Sequence, residues 1–295
     1  MKKVAFYIMN SKGYFVLKNF IDKFGSKNIE YVVSSIDRNI KKDYFEEIEN
    51  LAIKFKINFF NRFDSFLDIE NSFQGYKISI GWRWLIKNEL CLIIFHDSLL
   101  PKYRGFAPLV NALINQEKIL GVTALFASSE YDKGNIISQQ NLKISYPIKI
   151  DEVIKEIEHL YFNLVENIYR KIVSNKKLKS RIQNENKATY SLWLDNKDYF
   201  VDWTWSAKKI KRFIDAVGYP YDSAKAYLND KIVRLINVKI VEDVAVEHRD
   251  RHIGKVIFIK DGIPVIVCKK GLIRIEEIRN EKDEKLKINF RSRLK

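Results

Sequence analysis

The period of the apolar positions changes along the chain, and each change predicts an element. Val4 to Met9 is an unbroken apolar run, suited to a buried strand. After Gly13, the residues Phe15, Val16, Phe20, Ile21 and Phe24 recur at helical spacing, and Ile29 to Ser34 reads as a second strand. A β-α-β opening implies a right-handed crossover and a parallel sheet. Tyr44 to Phe55 carries another helical pattern and Ile57 to Phe60 a short strand. Lys77 to Ile80, Leu90 to Phe95 and Val122 to Ala127 are further strand candidates, and Pro108 to Ile114 reads as a helix. Asp151 to Ile172 is a long amphipathic helix with Val153, Ile154, Ile157, Leu160, Tyr161 and Leu164 on one face.

The texture then changes. Lys176 to Lys187 is polar, basic and aperiodic, as a linker would be. A helix over Ser206 to Val217 follows. Short strand-like runs come next: Ile232 to Leu235, Val256 to Ile259, Pro264 to Cys268 and Leu272 to Ile275, punctuated by Gly254, Gly262 and Gly271. This spacing predicts a small β-rich domain. The expected layout is an α/β domain over residues 1–180, with a Rossmann-like, mostly parallel sheet, and a β-rich, OB-like domain over 190–295.

Composition adds three constraints. With 46% apolar and 13% aromatic residues, a 295-residue chain can fill ordinary cores and is not disordered. The net charge of +15 attracts anions, but the lysines are scattered through both halves. That favours a solvated surface over a nucleic-acid footprint, and a nucleotide-linked substrate would gain from the same field. Cys91 and Cys268 stand far apart in apolar stretches, so they form neither a disulfide framework nor a zinc site, and a cytoplasmic protein without metal is expected. The start, Met1-Lys2-Lys3 and an apolar run broken at Asn10, Ser11 and Lys12, is too short for a signal-peptide core. No stretch approaches the roughly 20 apolar residues of a membrane span.

The richest segment is Phe95-His96-Asp97-Ser98-Leu99-Leu100-Pro101-Lys102-Tyr103-Arg104-Gly105. His96 leaves an apolar strand at its carboxyl end, where open α/β sheets bind ligands. A lone histidine is more often a hydrogen-bonded structural residue. Of the four histidines, however, His159 lies in a helix, and His248 and His252 lie in a charged loop. A second segment runs from Gly121-Val122-Thr123 to Tyr131-Asp132-Lys133-Gly134. An Asp-x-Gly turn alone is common and weak. Only Gly13 follows the first strand, so a dinucleotide fingerprint is missing.

Together these segments closely resemble the folate-dependent formyltransferase superfamily, which includes the transfer-RNA, glycinamide ribonucleotide and sugar N-formyltransferases. The matching residues are His96, Ser98-Leu99-Leu100-Pro101, Arg104-Gly105, Pro108, Gly121-Val122-Thr123 and Asp132-x-Gly134. The resemblance implies transfer of a formyl group from N10-formyltetrahydrofolate to a primary amine through a tetrahedral oxyanion. It makes His96 the acid/base and hydrogen-bond donor. Asp132 would position the ring and favour its charged form. It also implies a folate pocket near Gly81, Trp82, Arg83, Trp84, Ser98, Leu99 and Tyr131, and substrate contacts at Lys102, Tyr103, Arg104 and Gly105. One departure stands out. The family motif is Asn-x-His, and here Ile94 occupies the Asn position. Loss of one oxyanion donor costs on the order of 100- to 1000-fold in rate. Ser98 or a backbone amide is the expected substitute, and a binding-only homologue is the alternative.

The segments Ala188-Thr189-Tyr190-Ser191-Leu192-Trp193 and Asp198-Tyr199-Phe200-Val201-Asp202-Trp203, with Gly218-Tyr219-Pro220-Tyr221, resemble the second domain of transfer-RNA and sugar formyltransferases. Ser223 replaces the usual Gly. A glycinamide ribonucleotide enzyme normally lacks such a domain. Details around Ser34 to Tyr44 and Gly218 to Tyr221 lean toward the sugar group, which acts in surface-polysaccharide pathways. The expected partner is therefore a nucleotide-linked amino sugar, with transfer RNA as the alternative. A homodimer is implied by the resemblance only.

Overall fold

The computed structural model describes residues 2–86 and 89–295; Met1, part of the N-terminal reading, lies outside them. The N-terminal elements follow the apolar pattern closely. They are β1 (Val4–Ile8), α1 (Asn10–Phe24), β2 (Ile29–Ser34), α2 (Phe45–Lys54), β3 (Asn58–Asn61), α3 (Leu67–Ser72), β4 (Tyr76–Ile80) and β5 (Leu92–His96). Next come β6 (Arg104–Gly105), α4 (Pro108–Ile114), β7 (Ile119–Phe126), β8 (Ile136–Lys143), α5 (Ile150–Val173) and β9 (Tyr190–Ser191). Seven of these strands form one sheet in the order β3-β2-β1-β4-β5-β7-β8. Pairings from β3 to β5 are parallel, and the β5–β7 and β7–β8 pairings are antiparallel. The sheet is thus mostly parallel, as expected.

Strand periodicity explains why β1 is apolar throughout. Phe6 faces one side and meets Phe20 of α1, which in turn packs on Tyr169 of α5. Ala5 and Tyr7 face the other side, where Tyr31, Val33 and Leu92 are joined by Phe66 and Ile69 of the α3 region. The Tyr7 hydroxyl donates to Glu70 at 2.5 Å under that helix. With both faces covered, no polar side chain marks an alternating pattern. From β1 the chain goes to β2 on one side, while β4 pairs on the other. The switch point, and hence the crevice for a ligand, lies at the carboxyl ends of β1 and β4.

Four differences from the sequence reading have physical causes. β8 is a half-exposed edge strand with Gln139-Gln140-Asn141 in its middle, so its alternation is weak. The two-residue β6 and β9 pair with each other across 86 positions, beyond any local pattern. The short α3 carries Asp68, Glu70 and Asn71 among its few apolar residues. The segment expected as a linker is pinned down: Leu178 and Gln183 are buried, and Arg181 exchanges backbone hydrogen bonds of 2.8 and 2.9 Å with Ile136.

The chain folds into two compact units. One runs to Leu109 and includes Lys118–Ile144 and Glu152–Leu192. The other comprises Val110–Glu117, Ser145–Asp151 and Trp193–Lys295. In the second unit, α6 (Ala207–Ala216) buries Ile210, Phe213 and Ile214. Its first turn is capped by Ser206, whose hydroxyl accepts from the Lys209 amide. β10 (Ala224–Leu228), β11 (Lys231–Val241), the short α7 (Arg249–His252), β12 (Val256–Lys260), β13 (Ile263–Val267) and β14 (Leu272–Asn280) complete the unit. Its five strands form an antiparallel sheet in the order β10-β11-β14-β13-β12. The C-terminal residues touch both edges. Lys295 exchanges backbone bonds with Tyr227 of β10, and the Leu294 amide donates to Gly254, just before β12. The unit is β-rich as expected, and the tail ties strands at the two edges of its sheet. No helix of the described residues is long and apolar enough to cross a membrane.

Candidate active site

β5 delivers His96 to the carboxyl end of the sheet with the ring almost wholly buried, at 8% exposure. Its Nε2 donates to the Tyr103 carbonyl at 2.7 Å, and its Nδ1 lies 3.5 Å from Asp132 Oδ1. Both ring nitrogens therefore face acceptor oxygens. Asp132 occupies a turn after β7 with a left-handed backbone, φ 56°. Its second oxygen accepts from the Gly105 amide at 2.8 Å. The two expected catalytic residues, 36 positions apart in sequence, are thus brought together.

The glycines of the motif are dictated by close approach. At Gly134 a Cβ would stand 1.7 Å from the Phe126 carbonyl oxygen, so the Asp132 turn can fold back only on a residue without one. Gly105 has φ 97°, and its Cβ would meet the Ser191 carbonyl oxygen at 2.6 Å. The loop between His96 and Arg104 is held from below by Thr123, which is fully buried. The Thr123 hydroxyl donates to Ser98 O at 2.6 Å and accepts from the Leu100 amide at 3.1 Å.

Asp97 points away into a second buried network. Lys12 at the start of α1 makes a very short contact with its carboxylate, and the Tyr161 hydroxyl of α5 donates to it at 2.5 Å. Burial pushes the Asp97 carboxyl up. The Lys12 charge and the hydrogen bonds of Lys12 and Tyr161 outweigh it and hold the group below the usual carboxylate range.

The other expected residues are placed as follows. Ser98 is buried and its hydroxyl donates to the Lys102 carbonyl at 2.6 Å, so it serves its own turn. Leu99 packs over Gly121. Lys102 and Tyr131 are exposed, and Tyr103 is half-buried. Gly81 opens the loop after β4 with φ 65°. Trp82 meets Tyr7 and Trp84 edge-on, with centroids 5.4 and 5.2 Å apart, and the Arg62 guanidinium lies 4.0 Å above Trp84. Arg83 pairs with the buried Asp37 at 2.5 Å. Arg104, expected at the substrate, is wholly buried, with its guanidinium committed to Gln183, Glu185 and Tyr190. Sequence reasoning missed Gln183, Glu185, Thr189, Lys12 and Tyr161 as neighbours of the site, because they come from distant segments with no local signal. Among the described residues, no group of three or more His, Cys, Asp or Glu could hold a metal ion.

Two consecutive family models match the chain. One, described as formyl transferase, covers residues 75–168; the other, described as formyl transferase, C-terminal domain, covers residues 194–292. The chain belongs to the formyltransferase superfamily. This formyltransferase is 25% identical over 287 residues to the methionyl-tRNA formyltransferase of Clostridium novyi, spanning 92% of this chain and 90% of that one. Its structure resembles an N-formyltransferase from Helicobacter canadensis solved with folinic acid and dTDP-3-aminofucose. The TM-score is 0.68 at 17% identity, over 93% of this chain and 99% of that one. HypX from Aquifex aeolicus gives a TM-score of 0.65 at 19% identity, over 97% of this chain and 47% of that longer one. At these identities the structural likeness speaks for the fold.

Ile94, where the resemblance leads one to expect Asn, packs against Leu100, Leu125 and Ile136. β5 therefore offers no side-chain amide beside His96, and Ser98 is already engaged.

Proposed function

We propose that the protein transfers a formyl group from N10-formyltetrahydrofolate to the amine of a nucleotide-linked amino sugar. The observation that carries the reaction is the buried His96, set between the Asp132 carboxylate and the Tyr103 carbonyl at the carboxyl end of β5. When bound, the folate supplies an activated formyl group. Gly81, Trp82 and Trp84 fit such a group. The two indoles are half-buried in the loop after β4, and Trp82 Nε1 is a buried donor without a hydrogen-bond partner. His96 holds a proton at a ring nitrogen and donates it to an oxygen that gains charge; Asp132 fixes the ring and stabilises its charged form. The Tyr103 carbonyl accepts from Nε2 and has a second lone pair to orient an N–H of an incoming amine; the proton the amine loses on attack passes to solvent. With Ile94 apolar, the donor that replaces the missing amide comes from the backbone. We also assign the catalytic domain to residues 1–180 and the β-rich domain to 190–295.

The sugar acceptor is supported by the end-to-end likeness to a fold that holds dTDP-3-aminofucose in Helicobacter canadensis. The second reading, methionyl-tRNA formylation, is favoured by the Clostridium novyi relative. Purified protein mixed with N10-formyltetrahydrofolate and a panel of dTDP- and GDP-linked 3-amino and 4-amino sugars separates them. A formyl mass gain on one sugar, absent with His96→Ala, is the expected result. Formylation of initiator methionyl-tRNA and of no sugar would establish the second reading.

A further inference from the structure

Arg104 and Gln183 are the least expected pair near the site. Arg104 has no exposed surface, and Gln183 is 6% exposed. An arginine has only donors, so the Gln183 oxygen must face it; Oε1 accepts from Arg104 Nε at 3.2 Å and Nη2 at 2.8 Å. The amide nitrogen of Gln183 is thereby turned the other way. It donates to the carbonyl oxygens of Asp132 at 2.6 Å and Gly134 at 2.8 Å. One glutamine side chain thus clamps both ends of the Asp132-Lys133-Gly134 turn.

Arg104 is in turn fixed from several sides. It makes a two-pronged bond to Glu185, 2.7 Å on each arm, and its amide donates to Thr189 O at 2.8 Å. The Thr189 hydroxyl accepts from the Tyr103 amide at 2.8 Å. Tyr103 is the residue whose carbonyl receives His96, and Gly105 is the one whose amide holds Asp132. The same buried arginine therefore sits between the residues that hold the histidine and the carboxylate.

We propose that Gln183, held by Arg104 and Glu185, is a positioning residue for Asp132, so that the segment after α5 sets the His96–Asp132 geometry. This rests on the reading of His96 and Asp132 as the catalytic pair. Gln183 touches neither the ring nor the carboxylate. It acts by fixing the left-handed backbone from which the carboxylate projects.

The test uses the full chain carrying Gln183→Leu, which removes the clamp at nearly constant volume. Gln183→Glu keeps the Arg104 contact but has no amide donors, and carries the test if the leucine variant does not fold. A crystal structure of the variant without substrate is expected to show the Asp132 carboxylate about 1 Å or more further from His96. In the sugar formylation assay kcat is expected to fall on the order of 100-fold with the folate KM little changed. In an Asp132→Asn background the same change is expected to cost little more, because the residue it positions is already gone. An unmoved carboxylate, or a loss undiminished in that background, would overturn the positioning role alone. An Asp132→Asn enzyme with wild-type kcat would overturn the reading of the catalytic pair and this role with it.

Discussion

Lys12 and Asp97 form a nearly buried ion pair one residue from the histidine, with side chains 11% and 14% exposed. Removing one partner of such a pair strands the other. Lys12→Met is therefore expected to cost about 3–5 kcal/mol at neutral pH, read from denaturant melts. The sign of the pH dependence follows from Asp97. Its carboxyl lies below its ordinary value, near 3.9, so its contribution is complete above about pH 5 and lost as pH falls through the depressed folded value. The gap between wild type and Lys12→Met should close in acid; a gap that widens there would contradict the pairing. At Gly134 the nearness of the Phe126 oxygen makes alanine an overpacked residue. Gly134→Ala should destabilise by about 1–3 kcal/mol and slow formyl transfer by moving Asp132, whereas unchanged kinetics would remove the turn from the account. At this scale the sequence revealed His96, Asp132 and the glycines, because each sits in a short motif with a distinctive context. It could not reveal Gln183, whose bonds to the Asp132 turn span 51 and 49 positions and which stands in a polar stretch.

Elements with one strong periodicity were legible. β2 and α4 fall on their expected ends, and β1 and α5 within one residue of theirs, since burial on one or both faces imposes the apolar pattern. Elements made by tertiary pairing were not. β8 owes its existence to hydrogen bonds with β7, not to its own polar sequence, and the pair of β6 and β9 is set by the Arg104 hub. The C-terminal stitch belongs to this second kind. Leu294 is 1% exposed, and its backbone amide holds Gly254. Leu294→Ala should lower stability by about 2–5 kcal/mol in thermal or denaturant melts, and a melt equal to wild type would mean that the tail does not help close the sheet.

For the molecule as a whole, the net charge of +15 and the sugar reading make opposite demands on nucleic-acid binding. A diffuse basic surface holds any transfer RNA weakly and lets go as salt rises. Initiator and elongator transfer RNA should therefore bind alike and be lost together at moderate salt in a gel shift; a salt-resistant preference for the initiator would favour the second reading. The cysteines offer an independent check, one in each unit. Burial pushes the Cys268 thiol up to about 12, while Cys91 is half-exposed. A thiol reagent should label the native protein at Cys91 alone, with Cys268 reacting only on unfolding.

The most direct test of the central claim is the rate of formyl transfer from N10-formyltetrahydrofolate to the accepted amine, compared among wild type, His96→Ala and Asp132→Asn. Both variants are expected to fold and to lose on the order of 100- to 10,000-fold in kcat. Variants that transfer formyl as fast as wild type would show that the His96–Asp132 pair is not the catalytic centre.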